Sequence, residues 1–305
     1  MANFRFRGLI APILNAFKDD LSVNLSVIQD YAKFLADSKI MGVLVNGTSG
    51  EGMSMTVTER KKVTEEWLQA VKKTDQHLMV QIGGAPLPDV LELAKHADSV
   101  GAHSLLCLPD LYYKPATSAD LTRYLKTVSA AAPNTPLLYY HIPRFTHVNI
   151  HMGQFLNDVV GKIPTFHGIK FTSNALDEGI AAVKANGGKY AVFLGAPQLK
   201  AGAYTLGFDS AIATPLNMFP QLGVTILDSV KQSKLDKAKQ TQDALTQLCS
   251  ILTKYAKYGS WVPTMKVAME LYTPIKVGKA RAPLVNITPD EIKQMKKEID
   301  TLNYF

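Results

Sequence analysis

Two short segments in the middle of the chain decide the fold: Pro136-Leu137-Leu138-Tyr139-Tyr140-His141-Ile142 and Phe166-His167-Gly168-Ile169-Lys170-Phe171-Thr172. Both are apolar and rich in residues that favour buried strands. The amphipathic pattern between them, at residues 152–160, predicts a helix. A strand, a helix and a second strand in this order predict a parallel βαβ unit.

The same alternation extends along the chain in both directions. Further strands are predicted at residues 8–14, 42–46, 77–83, 104–108, 190–195 and 210–214, and further helices at 25–37, 58–72, 89–100, 119–131, 175–185 and 198–206. Eight alternating units without a Pro/Ser-rich linker predict an α/β fold, a (β/α)8 TIM barrel over residues 1–218.

After the eighth predicted strand the pattern becomes helical. Helices are predicted at residues 220–233, 235–258, 263–271 and 289–302. We therefore expect a C-terminal helical extension over residues 219–305, packed on the barrel or on another subunit. Two helix starts also carry a capping box, Thr56 with Glu59 and Thr288 with Glu291, in which each side chain bonds a free backbone N–H of the other residue.

Composition limits the functional class. The 305 residues are 47% hydrophobic and 19% charged, which is typical of a globular protein with a large core. No apolar run of about 18 residues predicts a membrane span. The apolar segment at 8–14 is too short for a signal-peptide core, so we expect a cytoplasmic protein.

The net charge of +7 invites a nucleic-acid interpretation, but its distribution argues against one. Lysines such as Lys231, Lys234 and Lys237 are spread along helices between Asp and Gln residues, without an arginine cluster beside aromatic residues. We expect no nucleic-acid partner. Cys107 and Cys249 are too few and too far apart for a disulfide framework or a CxxC metal site, and buried free thiols are expected.

In a TIM barrel the functional groups lie at the carboxyl ends of the strands. Alternation places Lys170 and Thr172 on one face of the sixth strand and the apolar Ile169 and Phe171 on the other, which predicts a lysine pointing into the barrel. Burial lowers a lysine pKa, and a partly neutral lysine forms a Schiff base with a carbonyl. The alternative is a lysine that reaches solvent or pairs with a carboxylate.

Tyr140, on the adjacent fifth strand, is expected to face the barrel centre near Lys170 and to move protons during Schiff-base chemistry, although it could equally serve packing. After the second strand, Asn46-Gly47-Thr48-Ser49-Gly50-Glu51-Gly52 offers hydroxyls and backbone N–H groups that suit a carboxylate or small phosphate. A plain βα turn is the alternative.

Other chemistries find little support. His147 and His151 lack the Glu of a zinc protease helix, so no metal site is expected, and no Gly-x-Ser-x-Gly turn indicates a serine hydrolase. The loop Pro109-Asp110-Leu111-Tyr112-Tyr113-Lys114-Pro115 carries two tyrosines that suit an oligomer contact, a catalytic role or both.

Three motifs in this order, Gly47-Thr48-Ser49-Gly50-Glu51, Tyr140-His141-Ile142-Pro143 and Gly168-Ile169-Lys170-Phe171-Thr172, resemble the N-acetylneuraminate lyase and dihydrodipicolinate synthase superfamily. The similarity covers essentially the whole chain. Val45-Asn46-Gly47-Thr48 and Lys162-Ile163-Pro164-Thr165-Phe166 are similar to the animal lyases of this superfamily.

The resemblance implies a class I aldolase that cleaves a 2-oxo acid, such as N-acetylneuraminate, to pyruvate and an aldehyde without a cofactor. Lys170 would form the Schiff base, Tyr140 would shuttle protons, and Tyr112 would act near a subunit interface of a homotetramer. The substrate-binding residues would be Thr48, Ser49, Thr172, Gly195 and Thr214.

The resemblance also implies residues that this chain lacks. Acidic residues that hold the sugar hydroxyls in sialic acid lyases align with Ala175, Pro197 and Gln198, and an arginine of the synthases aligns with Phe145, next to Arg144. The aldehyde is therefore left open, because a lost hydrogen-bond acceptor weakens discrimination of a polyol. The alternatives are a synthase or dehydratase acting on another 2-oxo acid and a non-catalytic 2-oxo acid binder.

Overall fold

A closed parallel barrel forms the centre of the protein. The computed structural model describes residues 4–257 and 260–302. Eight strands pair in chain order, and the eighth pairs with the first. They are β1 (Leu9–Pro12), β2 (Gly42–Val45), β3 (His77–Gln81), β4 (Ser104–Cys107), β5 (Leu137–His141), β6 (Phe166–Phe171), β7 (Ala191–Leu194) and β8 (Ser210–Ile212). The predicted (β/α)8 barrel is confirmed, and each strand lies within its predicted segment.

Helices separate the strands and follow the last one. Up to β8 they are α1 (Ile28–Asp37), α2 (Val57–Thr74), α3 (Leu87–Val100), α4 (Ser118–Ala131), α5 (Pro143–Thr146), α6 (Met152–Asp158), α7 (Leu176–Lys184) and α8 (Lys200–Thr205). After β8 come α9 (Pro220–Lys231), α10 (Leu235–Lys254), α11 (Val262–Tyr272) and α12 (Pro289–Asp300). The sequence pattern did not predict the short α5.

Some helix ends differ from the prediction. The first parts of the predicted helices at 25–37 and 198–206 are 3-10 turns, Leu25–Val27 and Pro197–Leu199. The helix predicted at 235–258 ends at Lys254, and residue 258 lies outside the described residues. Both predicted capping boxes are present, at Thr56 with Glu59 and at Thr288 with Glu291.

The two faces of each strand pack in different layers, as the alternation predicts. Leu138 and Tyr140 belong to the buried cluster inside the barrel. Tyr139, Ile169 and Phe171 belong to the larger core between the strands and the surrounding helices. A fixed alternation along each strand therefore decides which side chains face the barrel centre.

The C-terminal helices pack on the barrel. Helix α10 contacts α9, α8 and the Pro197–Leu199 turn, and α11 contacts the 3-10 turn Thr214–Asn217 that follows β8. Across residues 4–257 and 260–302, no helix combines the length and apolarity that a membrane crossing requires.

Candidate active site

Lys170 lies inside the barrel, on β6. Its side chain is only 5% exposed, and it lines a cavity at the carboxyl end of the strands. Gly168, two residues earlier on the same face, contacts β7 so closely that a Cβ there would lie 2.0 Å from the carbonyl oxygen of Ala191. The inward orientation predicted for Lys170 is thus present.

Tyr140 is the direct neighbour of Lys170 on β5. The two residues are paired in the strand register, and the Lys170 Nζ lies 4.1 Å from the centre of the Tyr140 ring. The Tyr140 hydroxyl is 3.2 Å from the Thr48 Oγ1, within hydrogen-bond distance. The Lys170 amine, the Tyr140 hydroxyl and the Thr48 hydroxyl therefore lie near one another at one end of the barrel.

The glycine-rich turn after β2 contributes a second pair of hydroxyls. Ser49 Oγ lies 2.7 Å from Thr214 Oγ1, and both side chains line the cavity. The Asn217 amide donates to the Thr214 and Pro12 carbonyl oxygens, and its own oxygen accepts a 2.6 Å bond from the Tyr31 hydroxyl. This network fixes the end of β8 against the start of the barrel.

Thr172 and Gly195 complete the inner wall. The Thr172 Oγ1 is buried and has no hydrogen-bond partner among the described residues. A Cβ on Gly195 would lie 2.0 Å from that oxygen, so only a glycine leaves it open to the cavity. A buried polar atom without a hydrogen-bond partner is uncommon, and such an atom is suited to form a hydrogen bond with a ligand.

The cavity has a volume of about 490 Å3, which suits a small organic molecule. Lys170 and Arg144 are the charged side chains that line it, and no Asp or Glu from the described part of the chain does so. Its outer wall is partly aromatic, because Phe145 packs against Trp261 with ring centroids 5.5 Å apart. Among residues 4–257 and 260–302, no cluster of His, Cys, Asp or Glu could hold a metal ion.

Several lining residues were not predicted from the sequence. Helix α10 places one polar face on the cavity, at i, i+3, i+4 and i+7 spacing: Thr246, Cys249, Ser250 and Thr253. The spacing of these small polar residues is visible in the sequence, but it does not show what the face contacts. Both thiols are free, as expected. Cys107 is buried, and Cys249 is half-buried as a residue, but its sulfur is enclosed: burial raises the pKa of the Cys249 thiol to about 12.

Nearly the whole chain matches one protein family. The profile of the Dihydrodipicolinate synthetase family matches residues 5–302. The chain belongs to this family.

Relatives within the family carry lyase names. The chain is 30% identical to N-acetylneuraminate lyase of Homo sapiens, over 98% of this chain and 94% of that protein. The solved structure of Proteus mirabilis N-acetylneuraminate lyase superposes with a TM-score of 0.92 at 30% identity, over 99% of this chain and 100% of that chain. The Aliivibrio salmonicida lyase, also called a sialic acid aldolase, gives a TM-score of 0.92 at 29% identity, covering 99% of each chain.

Some of the residues expected to differ from those of sialic acid lyases and synthases line the cavity, and others do not. Pro197 and Gln198 line the cavity, and the Gln198 amide donates a 2.9 Å bond to Asn174 Oδ1. Ala175 precedes α7 and does not line the cavity. Arg144 does line it, one residue before Phe145.

Tyr112 lies apart from the other predicted site residues. It is 79% exposed on the loop after β4, its ring meets that of Tyr113 edge-on, and it does not line the cavity. Asp110 fixes this loop, because its Oδ1 accepts hydrogen bonds from the backbone N–H groups of both tyrosines. A single chain therefore brings together Lys170 and Tyr140 but not Tyr112.

Proposed function

We propose that this protein is a pyruvate-dependent class I aldolase that cleaves a 2-oxo acid to pyruvate and an aldehyde, or runs the reverse reaction. One observation carries the proposal. The Lys170 amine is buried in a small cavity, 4.1 Å from the ring centre of Tyr140, whose hydroxyl bonds Thr48. An enclosed lysine amine with a phenol beside it to move protons suits Schiff-base chemistry.

In the proposed reaction the Lys170 amine adds to the keto carbon, and water leaves to give a protonated Schiff base. The phenol proton of Tyr140 leaves with that water, and the resulting phenolate then acts as the base that takes the proton of the substrate's C4 hydroxyl. The C3–C4 bond then breaks, its electron pair moves into an enamine on the pyruvate half, and the aldehyde leaves. Protonation of the enamine and addition of water release pyruvate and restore the amine.

The polar groups around Lys170 suit the substrate carboxylate. We assign this role to the glycine-rich turn, through Thr48, Ser49 and its backbone N–H groups, with Thr214 bonded to Ser49. The open space at Gly195 would hold the carbon chain next to the Schiff base, and the Thr172 hydroxyl would hydrogen-bond to the substrate there.

N-acetylneuraminate is the first substrate to test, because the similar proteins are named as its lyases. A second candidate is a different 2-oxo acid, turned over by a synthase or dehydratase. It is favoured by the cavity wall, which has Pro197 and Gln198 and no carboxylate from the described residues to accept bonds from sugar hydroxyls.

The exposed Tyr112 and Tyr113 support an assembly of several chains. Two neighbouring tyrosines, 79% and 83% exposed, are suited to burial against a second copy. We propose a cytoplasmic homotetramer in which Tyr112 acts near a subunit interface. Mass measurement of the native protein tests the assembly.

Borohydride reduction in the presence of pyruvate tests the chemistry. We expect a covalent adduct on Lys170 in the wild type and none in Lys170→Ala. An adduct that persists in Lys170→Ala, or no adduct in the wild type, overturns the proposal. Pyruvate release from N-acetylneuraminate, compared with condensation of pyruvate with N-acetylmannosamine and aspartate semialdehyde, then separates the two candidates. An adduct without any turnover would indicate a non-catalytic binder.

A further inference from the structure

The glycine-rich turn is held by an ion pair from the C-terminal part of the chain. The Glu51 carboxylate accepts a 2.9 Å hydrogen bond from the Lys266 Nζ on α11, and the exposed fractions of the two side chains are 0% and 1%. Glu51 itself adopts a left-handed backbone conformation, with φ at 53°. The side chain that ends the turn is thus fixed by a residue 215 positions away.

The surrounding contacts make this pair a rigid link. Lys266 Nζ also donates to the Lys279 carbonyl oxygen at 3.0 Å, and the Arg281 backbone N–H donates to the second Glu51 oxygen at 2.8 Å. The ring of Phe17 lies beneath the Lys266 amine, 4.3 Å from its centre. Every polar atom of the pair therefore has a partner, which a buried ion pair needs in order to be tolerated.

Glu51 is close in sequence to the groups assigned to the carboxylate. The Glu51 backbone N–H donates to the Thr48 carbonyl oxygen at 3.2 Å, so Glu51 closes the turn that carries Thr48 and Ser49. Asn15 holds the same turn from the other side, through a 2.6 Å bond to the Gly50 carbonyl oxygen. Met265, the residue before Lys266, lines the cavity itself.

We propose that Lys266 is a positioning residue for the 2-oxo acid carboxylate: through Glu51 it sets where Thr48 and Ser49 lie relative to Lys170. This inference rests on the proposed function of the turn. It makes the C-terminal helices part of the substrate site, although Lys266 touches no substrate. A displacement of about 1 Å in such a site costs on the order of 100-fold in activity.

The test measures how much pyruvate is needed for borohydride trapping on Lys170. In Lys266→Met we expect the half-saturating pyruvate concentration to rise by on the order of 10- to 100-fold, while the trapped fraction at saturation stays near that of the wild type. A rise in KM that exceeds the fall in kcat is expected in turnover assays. Lys257→Met is the matched control, because Lys257 forms a 3.0 Å ion pair with Glu291, away from the turn.

Lys266→Met leaves Glu51 buried without its partner, so it can fail to fold. The double variant Glu51→Gln/Lys266→Met removes both charges and is expected to fold with the same raised pyruvate requirement. A folded single or double variant whose half-saturating concentration stays within about threefold of the wild type would overturn the inference. So would an equal rise in Lys257→Met, since that would indicate general loosening of the C-terminal helices.

A measurement on the wild type needs no variant. After trapping with pyruvate and borohydride, amide hydrogen exchange is expected to slow in residues 46–52 and also in residues 279–281. The second segment is linked to the pair because Lys279 bonds to Lys266 and Arg281 bonds to Glu51. Slower exchange in the turn alone would contradict the link. Absence of any adduct in the wild type would instead refute the proposed function, so the two failures are distinguishable.

Discussion

Tyr140 and Lys170 stand opposite each other in the register of β5 and β6, with the lysine amine 4.1 Å from the centre of the tyrosine ring. Because both residues lie on strands, the backbone fixes their separation, and neither depends on a loop for its position. Residues on strands of a barrel hold catalytic geometry more rigidly than residues on loops.

Replacing Tyr140 with Phe keeps the ring against Lys170 and removes the hydroxyl that bonds Thr48. We expect kcat for cleavage to fall by roughly 100- to 10,000-fold, the usual loss for a proton-transfer group. Steady-state assays of pyruvate release measure it. Tyr139→Phe is the control: its hydroxyl is buried on the outer face without a partner among the described residues, and kcat should be unchanged. A fully active Tyr140→Phe variant would remove Tyr140 from the mechanism.

Gly195→Ala should damage the site beside Thr172. The added Cβ would lie 2.0 Å from the Thr172 Oγ1, so the wall must shift, at a cost of about 1–3 kcal/mol in unfolding free energy. We also expect a higher half-saturating pyruvate concentration. Denaturant titration and borohydride trapping measure the two effects. Gly202→Ala, on α8 with nothing within 4 Å of the new methyl, should leave both unharmed. Equal behaviour of the two variants would show that the wall at Gly195 has room.

Lys200 is a buried lysine that the proposed mechanism does not use. Its Nζ has no hydrogen-bond partner among the described residues, and burial lowers the pKa of the amine to about 8 from 10.5. The unfolded chain holds the proton more tightly, so below pH 8 the folded state bears a penalty of about 3 kcal/mol, which shrinks as pH rises from 8 to 10.5.

Lys200→Met should therefore raise the unfolding free energy at pH 7 by roughly 1–3 kcal/mol, with a smaller gain at pH 10. Urea titrations at the two pH values measure this difference. Lys231→Met, at an exposed position on α9, serves as the control. A Lys200→Met protein less stable than the wild type at pH 7 would indicate that the amine is bonded in solution.

His141 should make the fold sensitive to acid. It is buried on the outer face of β5, stacked on Phe171, with Nε2 3.7 Å from the Glu178 carboxylate. Burial, and to a smaller extent His151, lowers the His141 pKa to about 4 from 6.5. The unfolded chain therefore takes up a proton first, and stability falls as pH drops from 6.5 towards 4.

Between pH 7 and pH 5 this one residue should cost about 2 kcal/mol of unfolding free energy. His141→Gln is expected to remove that part of the loss, whereas His147→Gln, at an exposed position, should keep it. Urea titrations at both pH values provide the comparison. An unchanged pH dependence in His141→Gln would place the acid sensitivity elsewhere, for example at His77, whose pKa burial lowers to about 3.

Much of the site followed from local pattern. Alternation along the predicted strands correctly placed Lys170 and Tyr140 inside the barrel and Tyr139 outside it. The carboxyl-end rule for barrels pointed to the glycine-rich turn, whereas Thr214 was expected only from the family resemblance. In contrast, the polar face of α10 was not predicted as a wall of the cavity, because a helical spacing reveals a face but not the surface that it covers.

The sequence by itself determined the order of strands and helices and the side of each strand on which a residue lies, because both depend on backbone geometry that repeats every few residues. Only the tertiary structure decided that the Glu51 carboxylate is held by Lys266, that Ser49 bonds Thr214, and that α10 lines the cavity. These contacts join residues far apart in the chain. They form when the barrel closes and the C-terminal helices pack on it, and the periodicity of the sequence does not predict such long-range contacts.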